Sequence, residues 1–99
     1  MNTDITLPEA FRRDIDRAVQ ILKDAGCTEV FVFGSLAEGR ASERSDIDLA
    51  VRGCPKGDFF RLLGKLLMEL DHPVHLVSLD REDPFAEFLQ KRRELVRVD

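Results

Sequence analysis

The chain has no tryptophan and no tyrosine in its 99 residues, only two cysteines, and fewer basic than acidic side chains, 15 against 19. Each shortage excludes something. The deficit of positive charge leaves a formal net charge of −4. That is a poor basis for holding duplex nucleic acid by neutralising phosphates, so no direct nucleic-acid binding is expected. No apolar run approaches the roughly 20 residues that a bilayer-spanning helix needs, so no membrane segment is expected. Met1-Asn2-Thr3-Asp4 has neither the basic nor the apolar stretch of a secretory leader. Cys27 and Cys54 therefore read as two reduced thiols in a cytoplasmic protein, their spacing making neither a metal site nor a disulfide framework.

What is present alternates between helical and extended patterning, and predicts an α/β (α+β) fold, one small mixed β-sheet of about four strands with helices packed against it, as a single domain over residues 1–99. Thr6 and Glu9 have capping-box spacing with Pro8 between them, and Phe11, Ile15, Ala18 and Leu22 follow as one apolar stripe ending near Gly26. Glu29 to Phe33 reads as a central strand covered on both faces. Asp46 to Val51 alternates strictly, with Asp46, Asp48 and Ala50 on one face and Ile47, Leu49 and Val51 on the other. Asp58 is placed to cap a helix that buries Phe59, Leu62, Leu63, Leu66, Leu67 and Leu70. That leucine-rich face is broad enough for the core and for a dimer or partner surface. His72, before Pro73, reads as a helix-end residue. Val74 to Leu79 reads as a third strand, Asp83-Pro84 as a helix start ahead of Phe85, Phe88 and Leu89, and Leu95 to Val98 as a short edge strand.

The chemistry concentrates in Gly34-Ser35 and, ten residues on, Asp46-Ile47-Asp48. Two carboxylates at i and i+2 of a strand project from one face and can converge on a divalent ion. A glycine-serine turn after a buried strand lets backbone approach a ligand, and supplies N–H and hydroxyl donors for phosphate. It is not a P-loop, having no Gly-Lys-Ser/Thr and no lysine. Together the two parts describe a nucleoside triphosphate–Mg²⁺ site.

Residues 34–51, GSLAEGRASERSDIDLAV, resemble the motif of the polymerase β-type nucleotidyltransferases, and their spacing is similar to that of the minimal nucleotidyltransferases. The resemblance extends through PVHLV, the Pro84-Phe85 helix start and the terminal ELVRV. It implies transfer of a nucleoside monophosphate from ATP or another NTP to a hydroxyl, with release of pyrophosphate. Gly34, Ser35 and Ser45 would belong to the nucleotide site, and Asp46 and Asp48 would be the catalytic metal ligands for Mg²⁺, or for Mn²⁺. Many minimal members carry arginine where this chain has Glu38, so Arg40 or Arg44 would meet the triphosphate charge.

The family's third carboxylate, on the next strand, is replaced by His75. Three alternatives follow. His75 substitutes as ligand or base, although imidazole favours Mn²⁺ or Zn²⁺ over Mg²⁺. Or the domain binds nucleotide and metal with little or no transfer. Or Asp71 or Asp80 takes over. Minimal nucleotidyltransferases often pair with a helical HEPN partner, and some act as its antitoxin by moving AMP onto a tyrosine of the toxin. With no tyrosine of its own, this chain would need an acceptor on another molecule. Two functions stand side by side: an antitoxin enzyme, and a degenerate module that neutralises its HEPN-like partner by complex formation alone. A small-molecule nucleotidyltransferase is the weaker third, because such relatives usually add a C-terminal domain and this chain stops at Asp99. Whether it forms a homo-oligomer stays open.

Overall fold

The computed structural model describes residues 9–40, 42, 45–92 and 95–99. Its elements run α1 (Glu9–Asp24), β1 (Glu29–Val32), α2 (Gly34–Ala37), β2 (Ile47–Arg52), α3 (Phe59–Glu69), β3 (Val74–Ser78), α4 (Pro84–Arg92) and β4 (Val96–Arg97). The sheet order is β3-β2-β1-β4. β1 pairs antiparallel with β2 and β4, and β2 pairs parallel with β3. The sheet is mixed and four-stranded with helices against it, as the alternation of patterns predicted. The parallel step requires a crossover, and α3 supplies it.

Both faces of the sheet are covered. On one, α1 and α3 bury Phe11, Ile15, Leu22, Leu62 and Leu66 against Val30, Val32, Ile47, Leu49 and Val51. On the other, α4 places Ala86 and Leu89 against Phe33, Ala50 and Val77. Gly26, at φ +105°, closes α1 as expected: Gly26 N–H donates to Lys23 and Cys27 N–H to Leu22, the paired bonds of a glycine-ended helix. The proposed cap at Thr6 and Pro8 lies outside the described residues. Asp58 does stand at the start of α3, but without a side-chain capping bond. Its carboxylate takes Arg61 at 2.9 Å instead. Leu67 was expected inside; it is exposed together with Phe60 and Met68, because the buried stripe of α3 narrows to Leu62, Leu66 and Leu70.

The two cysteines depart most from expectation. Cys27 and Cys54 are joined as a disulfide, with Cα atoms 3.9 Å apart. The register explains it. Glu29 faces Arg52 across the β1–β2 ladder, and extending that antiparallel pairing outward sets position 27 opposite position 54. Directly opposed residues of antiparallel strands are close enough to bridge. The cytoplasmic expectation loses the support it drew from reduced thiols; no described helix is long and apolar enough to cross a membrane. The bridge closes a loop spanning a separation of 27 residues, so its reduction should lower the unfolding free energy by about 3–4 kcal/mol. Urea midpoints with and without a thiol reductant measure this, and coincident curves would show that the bridge does not constrain the unfolded chain.

Two acids hold distant segments. Asp14, 3% exposed, accepts from the backbone N–H of Asp71 at 3.0 Å and of His72 at 2.9 Å. His72 Nδ1 lies 2.7 Å from the same carboxylate, and its ring stacks on Phe11 with centroids 4.2 Å apart. His72 is thus a pinned turn residue rather than a helix end. Asp99 accepts from Lys23 Nζ at 2.9 Å, Arg97 Nε at 2.9 Å and the Val30 N–H at 3.0 Å. Burial opposes its charge, yet the bonds from Arg97, Val30 and Lys23 outweigh burial and hold the Asp99 carboxyl well below the usual carboxylate range. A depressed native pKa stabilises above the unfolded value, near pH 4, and that stability drains away as pH falls below it. Asp99→Asn should be about 1–3 kcal/mol less stable at pH 7, with a shallower loss toward pH 3 than the parent. Denaturant titrations at a series of pH values measure both.

Candidate functional site

The cluster forms where β1 ends and β2 and β3 begin. Phe33 stays extended, and Gly34 turns the chain into α2 at φ +68°. A side chain there would collide with the Asp48 carboxylate. Gly34 is therefore required twice, by its left-handed backbone and by the carboxylate lying against it. Ser35 follows on the first turn of α2, where helix N–H groups have no helical acceptor.

Asp48 is on β2, directly opposite His75 of β3 in the parallel register. His75 Nδ1 lies 3.5 Å from Asp48 Oδ1. The Asp48 side chain is 23% exposed and that of His75 56%. Burial raises the Asp48 carboxyl above its ordinary value; the nearby His75, by charge and hydrogen bond, partly offsets this, and Asp46 adds to it. A second acid beside a half-buried one leaves the pair short of positive charge. That is the donor chemistry a hard divalent cation answers, since Mg²⁺ commonly takes one or two carboxylates and completes its shell with water and substrate phosphates. Among the described residues no group of three or more His, Cys, Asp or Glu is arranged to hold an ion unaided. Asp46 precedes β2 rather than lying within it, and is exposed.

The other expected residues divide. Ser45 is drawn into its own loop, its Oγ accepting from Ser42 N–H at 2.9 Å. Arg40 is exposed and paired with Glu38 at 2.7 Å, so each screens the other. Arg44 lies outside the described residues. Of the two acids offered in place of the third carboxylate, Asp80 accepts from Gly53 N–H and Asp71 donates its backbone N–H to Asp14; it is His75 that faces Asp48 across the register.

An aromatic wall went unread as part of the site. His75 lies edge-on to Phe33, centroids 6.0 Å apart, and near-parallel to Phe85 at 6.2 Å and 21°. Phe85 in turn is near-parallel to Phe88 at 6.4 Å and 14°. The spacing of Phe85 and Phe88 marked one helix face, but nothing local set that face beside β3. A separate groove between α1 and the 71–72 turn, lined by Arg12, Arg13, Asp16, Asp71 and His72 among others, shares no residue with the cluster.

The chain matches the family model described as polymerase beta nucleotidyltransferase over residues 17–97. Its fold is similar to a structure described as a minimal nucleotidyltransferase, at 32% identity and TM-score 0.71, covering 94% of this chain and 97% of that one. It is similar as well to a structure described as a toxin–antitoxin with AMP-PNP, at 26% identity and TM-score 0.67, covering 84% of this chain and 70% of that one. A tri-AMPylated Shewanella oneidensis HEPN toxin in complex with MNT antitoxin shares the fold at 22% identity and TM-score 0.61, over 87% of this chain and 69% of that one. No curated protein matches the sequence significantly.

Proposed function

The chain belongs to the polymerase beta nucleotidyltransferase family, and on that premise we propose that it binds a nucleoside triphosphate with a divalent metal and transfers AMP to a hydroxyl of a HEPN-like protein partner, as the antitoxin of the pair. The observation that carries this reading is the Asp48 carboxylate seated on Gly34, with His75 across the register and Asp46 two residues away. Backbone that approaches phosphate and acids that hold its counter-ion meet at one point. The likeness to a toxin–antitoxin structure with AMP-PNP supports an adenine nucleotide and a protein partner.

Asp46 and Asp48 would hold Mg²⁺ or Mn²⁺, which when bound neutralises charge on the phosphate oxygens and the departing pyrophosphate. Gly34 admits the triphosphate close to backbone N–H groups, and Ser35 adds a hydroxyl donor. The partner's hydroxyl oxygen bonds to the α-phosphorus as the bond to pyrophosphate breaks, in line. His75 takes the proton the hydroxyl gives up. With Nδ1 toward Asp48, its Nε2 is the nitrogen left to act as base.

A specific observation also favours the second reading, binding without turnover. A histidine, the weaker partner for Mg²⁺, stands in the register position facing Asp48. Labelled ATP, with Mg²⁺ or Mn²⁺ and the folded partner, separates the two. Label on the partner is expected, and is to be lost in His75→Ala. No label with either metal, together with transfer gained in His75→Asp, would overturn the enzymatic reading and establish the degenerate one.

A further inference from the structure

The rings beside the carboxylates form a surface for which the proposed reaction has so far no use. His75, Phe85 and Phe88 present three near-parallel planes, 21° and then 14° apart, descending from β3 onto α4. Phe85 is 40% and Phe88 46% exposed, so both residues are partly open to solvent. Phe33 lies edge-on to both His75 and Phe85, 5.9 Å from the latter. It braces the row from beneath, being itself 5% exposed.

Two partly exposed phenylalanine rings side by side beside the carboxylate cluster form an apolar surface against which a ligand can pack. A planar one suits near-parallel rings. The place narrows it further. Asp48 reaches His75 Nδ1 at 3.5 Å, and the Phe85 ring centre is 6.2 Å from the imidazole centre. The row of rings thus starts at the imidazole that contacts Asp48 and continues onto α4, next to the proposed phosphate site.

We propose that Phe85, with Phe88 beside it and His75 at its inner edge, is the nucleobase platform of the site, taking the purine ring of the bound nucleoside triphosphate by stacking. The inference rests on the nucleotide reading above and deepens it. Stacking on aromatic side chains is tolerant of base identity, because every base has a π-face. The platform therefore adds affinity for nucleosides over bare polyphosphate, and chooses weakly between adenine and guanine.

Equilibrium binding of Mg·ATP, Mg·GTP and Mg·tripolyphosphate to the intact chain tests it, beside Phe85→Leu and Phe88→Leu with circular dichroism to confirm folding. Phe85→Leu should weaken both nucleotides by roughly fivefold or more, the low end of base–aromatic stacking, and leave tripolyphosphate within about twofold. A triphosphate of 2-aminopurine should report stacking by a fluorescence change that Phe85→Leu removes. Nucleotide affinity unchanged in both variants would overturn the platform while leaving the nucleotide reading intact. So would an equal loss for tripolyphosphate, or an effect confined to the KM for the partner protein, which would assign the wall to the acceptor. If neither nucleotide nor tripolyphosphate binds the parent, the nucleotide reading itself falls, and the platform with it.

Discussion

Asp14→Ala is expected to remove about 3–5 kcal/mol of folding stability, the cost of deleting one partner from a buried, charged hydrogen-bond set. The carboxylate side chain is 4% exposed and the imidazole it holds 15%. Its removal takes the shared acceptor from the N–H groups of Asp71 and His72 and from one ring nitrogen, and leaves the 71–72 turn without its tie to α1. A shift to Asn keeps one acceptor oxygen and the shape, and should cost about half as much. Denaturant unfolding with the slope held constant reads the effect. A loss under about 1 kcal/mol would mean that the turn before β3 is held by packing of His72 on Phe11, not by Asp14. Because that turn leads into β3 and ends three residues before His75, the same variant should also loosen His75 relative to Asp48.

The second large effect concerns the site. Asp48→Asn should weaken metal-dependent nucleotide binding, and any AMP transfer with it, by roughly 100-fold or more, the scale of losing one preorganised charge at a phosphate centre. Folding should survive, and the metal-free protein should be slightly more stable. Burial already raises the Asp48 carboxyl above its ordinary value, so the native charge is carried at a cost that an amide does not incur. Titration with Mg·ATP and a thermal melt on the same preparation measure both. Gly34→Ala is the companion variant: it would push the carboxylate off its seat and impair binding without changing any charge. Unchanged nucleotide affinity in Asp48→Asn would remove this carboxylate from the phosphate site.

Some of this was written locally in the chain. The stripe from Phe11 to Leu22, the stop at Gly26, the alternation through Ile47 to Val51 and the helix start at Asp83-Pro84 are short-range patterns with fixed periods. They specified helices, strands and a mixed sheet. Gly34-Ser35 and Asp46-Ile47-Asp48 could be found because the chemistry needs those residue types at close sequence spacing. Even the vacancy of a third acid at His75 was visible as a break in a motif.

What the chain order could not convey was which residues become neighbours across the sheet and between layers. The facing of Cys27 and Cys54 depends on the β1–β2 register, a property of two strands and not of either one. Asp14, next to Ile15 on the first helix, drew no notice in the sequence, and becomes an anchor only because the turn at 71–72 folds onto it. Asp99 is charged and yet nearly buried because three donors from α1, β1 and β4 converge there. The aromatic wall likewise exists because α4 crosses the sheet face that carries Asp48. Local periodicity is set by bond geometry within a few residues. Pairings like these follow from minimising exposed apolar area and unpaired polar groups over the whole molecule at once.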